Sequence, residues 1–271
     1  MCRKLALLAT VLILAPGAAL AAARPQPPPA AAPPSPARPA ARPAPTKATP
    51  EQRAEAERLD PLGRAAFWAR EFNVDPRDFE AGVKLAKALR ALGRYDEAAS
   101  AAEQVLVMQP TNVEALLEAG RAYVGAGRGF YAIDPAQRAA AQAPRDWRPV
   151  ALLAVALEQA DRNDEALAAH EKALQLAPDN PAALTNLGLY YASHGQPQKA
   201  EPLLRRAAAS PSAGAQERQN LALVLGLEGK LDEAERLERQ DLPPEVVESN
   251  LAYLRATPAT PRSWDALRSA Q

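Results

Sequence analysis

Two histidines are the first candidates for metal or acid–base chemistry in this chain of 271 residues. His170 is followed by Glu171, but no second histidine follows at the spacing of a helical zinc site. We expect the His170 ring to pack in a helical core and the His194 ring, which precedes Gly195 in a turn, to be exposed to solvent. The sequence therefore predicts no metal site.

A glycine cluster at residues 125–129 is the next candidate, because glycine-rich loops bind phosphates. It follows a predicted helix rather than a strand, and Phe130 occupies the place of the third glycine of a dinucleotide-binding loop. No G-x-S-x-G motif is present, and the acidic residues lie at solvated helix starts. We therefore predict a protein that is not an enzyme, with no catalytic residues, no cofactor and no small-molecule substrate.

Charge and composition narrow the class of partner and the fold. Lysine plus arginine and aspartate plus glutamate both number 32, so the formal net charge is zero. A nucleic-acid-binding protein normally has a basic surplus, so we expect no nucleic-acid partner, although a local basic patch stays open. Alanine, leucine, glutamate and arginine favour helices, and aromatic residues make up only 5%. The composition predicts an all-α fold.

The N-terminus has the pattern of a secretory signal peptide, which we assign to residues 1–23. Arg3 and Lys4 precede a short apolar run at residues 5–14, and Ala19–Ala21 offers a cleavage site of small residues. The alternative is an uncleaved anchor. Cys2 lies before the apolar run, so the chain has no lipobox. We expect an exported periplasmic protein, with peripheral attachment to the outer membrane as a further option.

Residues 24–50 are rich in proline and alanine, with basic but no acidic side chains. Such a segment cannot build a core, which predicts a disordered, polyproline-like linker. Two interpretations stay open. The segment is either a simple spacer or a basic tether to an anionic polymer of the cell envelope.

From Pro76 onward the sequence repeats at one constant interval, the repeat period. Prolines recur at Pro76, Pro110, Pro144 and Pro178, and small residues at Ala98, Ala132, Ala166, Ala200 and Ala234. A turn position is occupied by Gly93, Gly127, Asp161, Gly195 and Gly229, and a large apolar position by Leu89, Tyr123, Leu157, Tyr191 and Leu225. Self-similarity at a period of this length is typical of a solenoid of paired antiparallel helices.

These positions resemble the tetratricopeptide-repeat consensus. The resemblance implies a right-handed α-solenoid of about five helix-turn-helix units: 79–112, 113–146, 147–180, 181–214 and 215–248. We assign an N-terminal helical cap to 51–78, with Phe67, Trp68 and Phe72 on one side. A capping helix is expected at 245–256, followed by a tail at 257–271.

The second unit departs from this pattern. Pro135 falls inside its second helix, so we expect a shortened helix capped by Asp134. The loop at residues 125–129 would then be longer than in the other units.

The concave face, lined by the first helix of each unit, is the predicted binding surface. In tetratricopeptide domains an asparagine beside a core leucine often binds a peptide backbone, and such Asn–Leu pairs occur at Asn186, Asn220 and Asn250. The alternative is that these amides are only solvated. The predicted peptide-binding groove consists of Asn186, Leu189, Gln219, Asn220, Leu223 and Asn250. Towards the N-terminus, Lys87, Arg90 and Arg121 face the groove, and the clamp that binds a C-terminal carboxylate in chaperone adaptors is not recognisable.

Several stretches resemble one branch, the TadD family of tight-adherence (Flp) pilus assembly proteins: 67–71, 146–148, 186–189, 218–226, 241–244 and 250–255. The resemblance implies a bacterial envelope scaffold that assists pilus assembly, with an outer-membrane secretin as partner. The missing lipobox departs from that family. The alternative is a generic periplasmic scaffold or a regulatory subunit for peptidoglycan or polysaccharide machinery.

Overall fold

The computed structural model describes residues 46–256, and the predicted signal peptide, almost all of the linker and the tail lie outside this range. Within it the chain forms thirteen α-helices and no strand. Their bounds are α1 Pro50–Ala56, α2 Pro61–Val74, α3 Phe79–Ala91, α4 Tyr95–Met108, α5 Val113–Gly125, α6 Gly129–Gln142, α7 Trp147–Gln159, α8 Asn163–Leu176, α9 Pro181–Ser193, α10 Pro197–Ala208, α11 Ala215–Leu227, α12 Leu231–Glu238 and α13 Pro244–Ala256.

Five helical hairpins, from α3–α4 to α11–α12, repeat the same short turn. The middle residue of each turn has a positive φ: 72° at Gly93, 70° at Gly127 and Gly195, 82° at Gly229 and 57° at Asp161. The next amide donates to the carbonyl of the large apolar position in the preceding helix, as in Arg94 N to Leu89 O at 3.0 Å. This Schellman motif gives a hydrogen-bond partner to a carbonyl at the helix end and needs a residue in the left-handed conformation. This requirement explains why glycine recurs at the turn position.

The first helix of each of the first four hairpins begins with a side-chain cap that the sequence analysis missed. Asp78, Asn112, Asp146 and Asn180, again one repeat period apart, accept hydrogen bonds from backbone amides of the first helical turn. These amides have no partner inside the helix, so the caps fix where each helix begins. In the fifth hairpin Gly214 occupies this position and offers no side chain.

Small residues, alanine and glycine, lie where neighbouring helices contact each other closely. The small position of the repeat is 0% exposed in all five units, at Ala98, Ala132, Ala166, Ala200 and Ala234. A methyl group added to Gly188 would lie 2.8 Å from Leu204 Cγ on the partner helix. Three residues of the large apolar position, Leu89, Leu157 and Leu225, are buried beside these contacts. The prediction of an all-α solenoid of helix-turn-helix repeats is confirmed.

The expected shortened helix, capped by Asp134 and beginning at Pro135, is wrong. Helix α6 runs without interruption through this proline, which is buried while α6 packs between α5 and α7. An interior proline costs roughly 3 kcal/mol of helix stability, so packing on both sides must offset that cost. The expected long loop is also absent. Gly125 ends α5 under the Tyr95 ring, and Gly129 begins α6 where an added Cβ would lie 2.4 Å from Gln159 Cβ.

Two different structures close the ends of the described stack. At the N-terminal end, α2 begins one repeat period before α4, so it continues the repeat register as a second helix and buries Trp68 and Phe72. At the C-terminal end, α13 leaves this register and covers α11 with Leu251 and Leu254. The exact domain boundaries and the right-handed twist stay predictions.

Candidate functional site

A groove in the described residues lies along the first helices of successive hairpins and has a volume of about 570 Å³. It is open along one side, and helices α3, α5, α7 and α9 each contribute to it. The residues that line it are Arg90, Tyr95, Arg121, Val124, Gly125, Trp147, Arg148, Ala151, Leu152, Val155 and Asn186. Arginines, aromatic rings and aliphatic side chains therefore line the groove together.

Two of these arginines share one buried carboxylate. Glu118 is 2% exposed, and it accepts from Arg90 Nε at 2.9 Å and from Arg121 Nη1 at 2.7 Å. A buried carboxylate needs such partners, because its desolvation is costly when it is unpaired. The arrangement orients both guanidinium groups on α3 and α5 towards the groove.

Arg148, on the first turn of α7, is held by two acids. It donates to Asp146 at 2.7 Å and forms an ion pair with Glu114 at 2.9 Å. The hydrogen bond from the Arg148 side chain lowers the pKa of the Asp146 carboxyl, and the backbone amide of Arg148 adds to this effect. Asp146 also caps α7, so the same carboxylate starts the helix and positions the guanidinium.

A smaller cavity of about 100 Å³ continues the surface towards the N-terminus. It shares Arg90 with the large groove and is lined by Glu57, Arg64, Trp68, Lys84, Lys87, Ala88 and Ala91. Lys84 Nζ lies 2.9 Å from Glu57 Oε1 and 4.6 Å from the centre of the Trp68 ring, a cation–π contact. Lys87 and Arg90, which the sequence placed on this face, indeed line its cavities.

The predicted groove residues fall into different surroundings. Asn186 lines the large groove. Leu189 on α9 and Gln219, Asn220 and Leu223 on α11 are half-buried beyond it, and Leu223 packs against the C-terminal core. The Asn220 side-chain nitrogen is buried and has no hydrogen-bond partner among residues 46–256. The peptide-binding role of all these residues stays a prediction.

Asn250 differs from the other two asparagines. It lies on α13, outside the repeat register, and its amide donates to Glu238 Oε1 at 3.2 Å. The core leucines of all three pairs, Leu187, Leu221 and Leu251, are buried as expected. Asn250 already has a partner within the chain, so a bound peptide would have to compete with Glu238 for it.

Trp147, Arg148 and Tyr95 line the groove but were not among the predicted groove residues. The repeat register of the sequence could have identified two of them. Trp147 and Arg148 directly follow the cap position Asp146, so they lie on the first turn of α7. Tyr95 could not be found in this way, because it belongs to a second helix and reaches the groove only over Gly125.

The two histidines form a cluster with Tyr190. His170 is 2% exposed, in agreement with its expected core position. The expectation that His194 is solvated is wrong, because its ring is half-buried and stacks on Tyr190 with centroids 4.1 Å apart. His194 ends α9, whose last turn folds the ring back onto the helix, and Nδ1 lies 2.8 Å from the Tyr190 carbonyl.

The described residues contain no group of three histidine, cysteine or acidic side chains placed to hold a metal ion. Over the same range, none of the helices is both long and apolar enough to cross a membrane.

Comparison with known proteins agrees with the repeat. Models of the tetratricopeptide repeat match residues 83–147 and 148–210. A thermophilic tetratricopeptide-repeat protein of Thermus thermophilus is 25% identical and aligns over 66% of this chain and 100% of its own, with a TM-score of 0.58. No curated protein matches the chain.

Two more distant structures show the fold alone. A tetratricopeptide-repeat protein of Parabacteroides merdae is 12% identical over 76% of this chain and 80% of its own, with a TM-score of 0.61. MamA of Desulfovibrio magneticus is 22% identical over 58% and 88%, with a TM-score of 0.50. The chain is a tetratricopeptide-repeat protein. Domains of this class bind proteins or peptides and typically serve as non-catalytic interaction scaffolds.

Proposed function

We propose that this protein is a non-catalytic scaffold that holds an extended segment of a partner protein in its concave groove. The observation that carries the proposal is the open groove of about 570 Å³ across α3, α5, α7 and α9. Its lining includes apolar side chains, among them Leu152 and Val155, and polar groups from Asn186 and the arginines. This combination is typical of a surface that binds a peptide by both its side chains and its backbone.

An extended peptide exposes a donor and an acceptor at each residue, and these groups need partners when they are buried. The amides of Asn186 and Asn220 can both donate and accept. Because the two residues are one repeat period apart, they occupy the same place on successive first helices. Asn186 lines the groove, while Asn220 lies beyond it on α11, so the proposal requires a bound segment that extends from the groove onto α11.

We further propose that the scaffold works in the bacterial cell envelope, in the assembly of a tight-adherence pilus, with an outer-membrane secretin as partner. The support comes from sequence: the signal-like residues 1–23 and the TadD-like stretches, among them 218–226 and 241–244. N-terminal sequencing of the protein from a periplasmic extract tests the export step. A new N-terminus near Ala22 is expected, and an N-terminus at Met1 contradicts export by cleavage.

Crosslinking in cells tests the partner. A photoreactive amino acid at Val155, inside the groove, should capture the partner, while the same probe at the exposed Lys172 of α8 serves as the control. Recovery of a secretin subunit from the Val155 site alone supports the pilus proposal. Recovery of a peptidoglycan or polysaccharide enzyme instead would favour the generic scaffold.

Alanine substitution tests the amides once the partner segment is available. Each amide-to-backbone bond contributes about 0.5–1.5 kcal/mol, so Asn186→Ala should weaken binding a few-fold. The triple variant of Asn186, Asn220 and Asn250 should lose about 2–3 kcal/mol, from roughly thirtyfold to over a hundredfold, because Asn250 must give up its bond to Glu238 to bind the segment. Equal affinity of wild-type protein and a folded triple variant would show that these amides do not bind the segment.

A further inference from the structure

The N-terminal part of the groove contains more positive than negative charge. Arg64 and Lys87 line the cavity next to Arg90, and neither has an acidic partner among residues 46–256. The Arg64 Nε atom is buried and lacks a hydrogen-bond partner within this range. Arg64 and the exposed Lys87 therefore supply two positive charges that no acid within this range neutralises.

A third positive charge comes from the pair around Glu118. Arg90 and Arg121 share this one carboxylate, so one of the two guanidinium charges is not neutralised. Arg148 and Lys84, in contrast, each contact two acids, Glu114 and Asp146 for Arg148 and Glu57 and Glu80 for Lys84. The surplus is therefore local to Arg64, Lys87, Arg90 and Arg121, in a chain whose formal net charge is zero.

We propose that the segment bound in this part of the groove is acidic, with aspartate or glutamate side chains among apolar residues. This inference rests on the proposed function and names the chemistry of the partner. Internal carboxylates fit better than a single C-terminal one, because the surplus cations come from three helices, α2, α3 and α5, rather than from one point. The apolar residues would contact Leu152 and Val155 in the groove lining.

A peptide panel tests the charge. The probe is an acetylated and amidated peptide of about twelve residues that alternates leucine with glutamate, spanning at most ~40 Å when extended. Its controls carry glutamine or lysine in place of glutamate, and a fourth peptide has glutamine side chains with a free C-terminal carboxylate. In fluorescence anisotropy with the full chain, the glutamate peptide should bind about tenfold or more tightly than the glutamine peptide, and less tightly as salt is raised.

Substitution tests the site. The double variant Arg64→Gln with Lys87→Gln should weaken the glutamate peptide on the order of tenfold and leave the glutamine peptide unchanged, since each partly exposed ion pair contributes up to about fivefold. Lys172→Gln is the matched control, because this exposed lysine lies on α8, outside the groove. Circular dichroism melting of each variant establishes that it is folded. Lys87→Gln alone should show part of the loss if Arg64→Gln does not fold.

The outcomes separate the two proposals. Equal binding of the glutamate and glutamine peptides would overturn the acidic preference and leave the scaffold function standing. Preference for the free C-terminal carboxylate over internal glutamates would overturn the internal source. Tighter binding of a single-stranded oligothymidine would overturn the protein partner and assign the groove to nucleic acid. If no peptide binds while crosslinking at Val155 still captures a partner, the acidic preference alone fails.

Discussion

Two buried glutamates, one in each half of the repeat stack, differ in the partners that compensate for their burial. Glu118, in the N-terminal half, is 2% exposed and accepts hydrogen bonds from Arg90 and Arg121. Glu238, in the C-terminal half, is 5% exposed and is bonded only to the Asn250 amide, while its Oε2 atom has no partner in the described structure. Burial raises the pKa of Glu238, and the bond from Asn250 only partly opposes this shift.

The difference teaches that the same repeat scaffold can place buried polar side chains in two kinds of surroundings. Position 118 and position 186 lie two repeat periods apart, and they hold a charged glutamate and a neutral asparagine. The backbone is alike at both positions, so the character of each half is set by side chains alone. The two halves share the same helix packing. We therefore expect the loss of a buried charge to change the free energy of unfolding in opposite directions in the two halves.

The largest expected effect concerns that common packing. Ala166→Leu places a branched side chain at a position that is 0% exposed, between helices of the third hairpin where the two halves meet. Overpacking should lower the free energy of unfolding by about 1–3 kcal/mol. Urea titration measures the loss, and Ala168→Leu, at an exposed position of the same helix, should change little. Similar losses for both variants would contradict the role of the small position.

The next effect should appear in the N-terminal half. Glu118→Gln removes the charge that Arg90 and Arg121 share, and it should cost about 1–2 kcal/mol, because both arginines are partly exposed and can be hydrated. The same variant should bind the glutamate peptide more tightly, since it frees a further positive charge. Glu55→Gln, at an exposed position of α1, is the control for stability. Unchanged stability and affinity together would show that Glu118 does not hold the arginines.

The turns offer a test that is independent of charge. An added Cβ at Gly195 meets no atom within 4 Å, so Gly195→Ala should lose about 1 kcal/mol through the positive φ alone. At Asp161 the reverse substitution to glycine should stabilise the protein by up to about 1 kcal/mol, because glycine adopts that conformation without strain. Thermal unfolding of the two variants checks the opposite signs. A gain from Gly195→Ala would mean that unfolded-state entropy outweighs strain.

The smallest effect should appear at Glu238 and have the opposite sign to that at Glu118. The raised pKa means that ionisation of this group in the folded state destabilises the protein above that pKa. Glu238→Gln should therefore stabilise the protein at about pH 7, and the gain should vanish as the pH falls below the ordinary glutamate range of about 4.3. Urea titrations at neutral and acidic pH measure it, with Glu248→Gln at an exposed position of α13 as the control. A loss at neutral pH would show that the Asn250 bond outweighs burial.

Sequence by itself determined the repeat and most of its local structure. Columns at one constant spacing predicted the hairpins, and each column reflects a local cause: a left-handed turn residue at Gly93, a small residue at Ala98, a large apolar residue at Leu89. These interactions act within one or two helices, so the residues that make them recur at a fixed spacing in the sequence. Even the exception, Asp161, was visible as the one non-glycine in its column.

Only the tertiary structure decided which features yield to their surroundings. Pro135 should end a helix by its local chemistry, but packing between α5 and α7 keeps α6 intact. His194 belongs to a turn by its position, yet its ring stacks on Tyr190. The cation surplus of the groove gathers Arg64, Lys87 and Arg121 from three helices, and a count of charges along the chain gives zero. These outcomes depend on contacts between residues that are distant in sequence, and the repeat spacing does not predict such contacts.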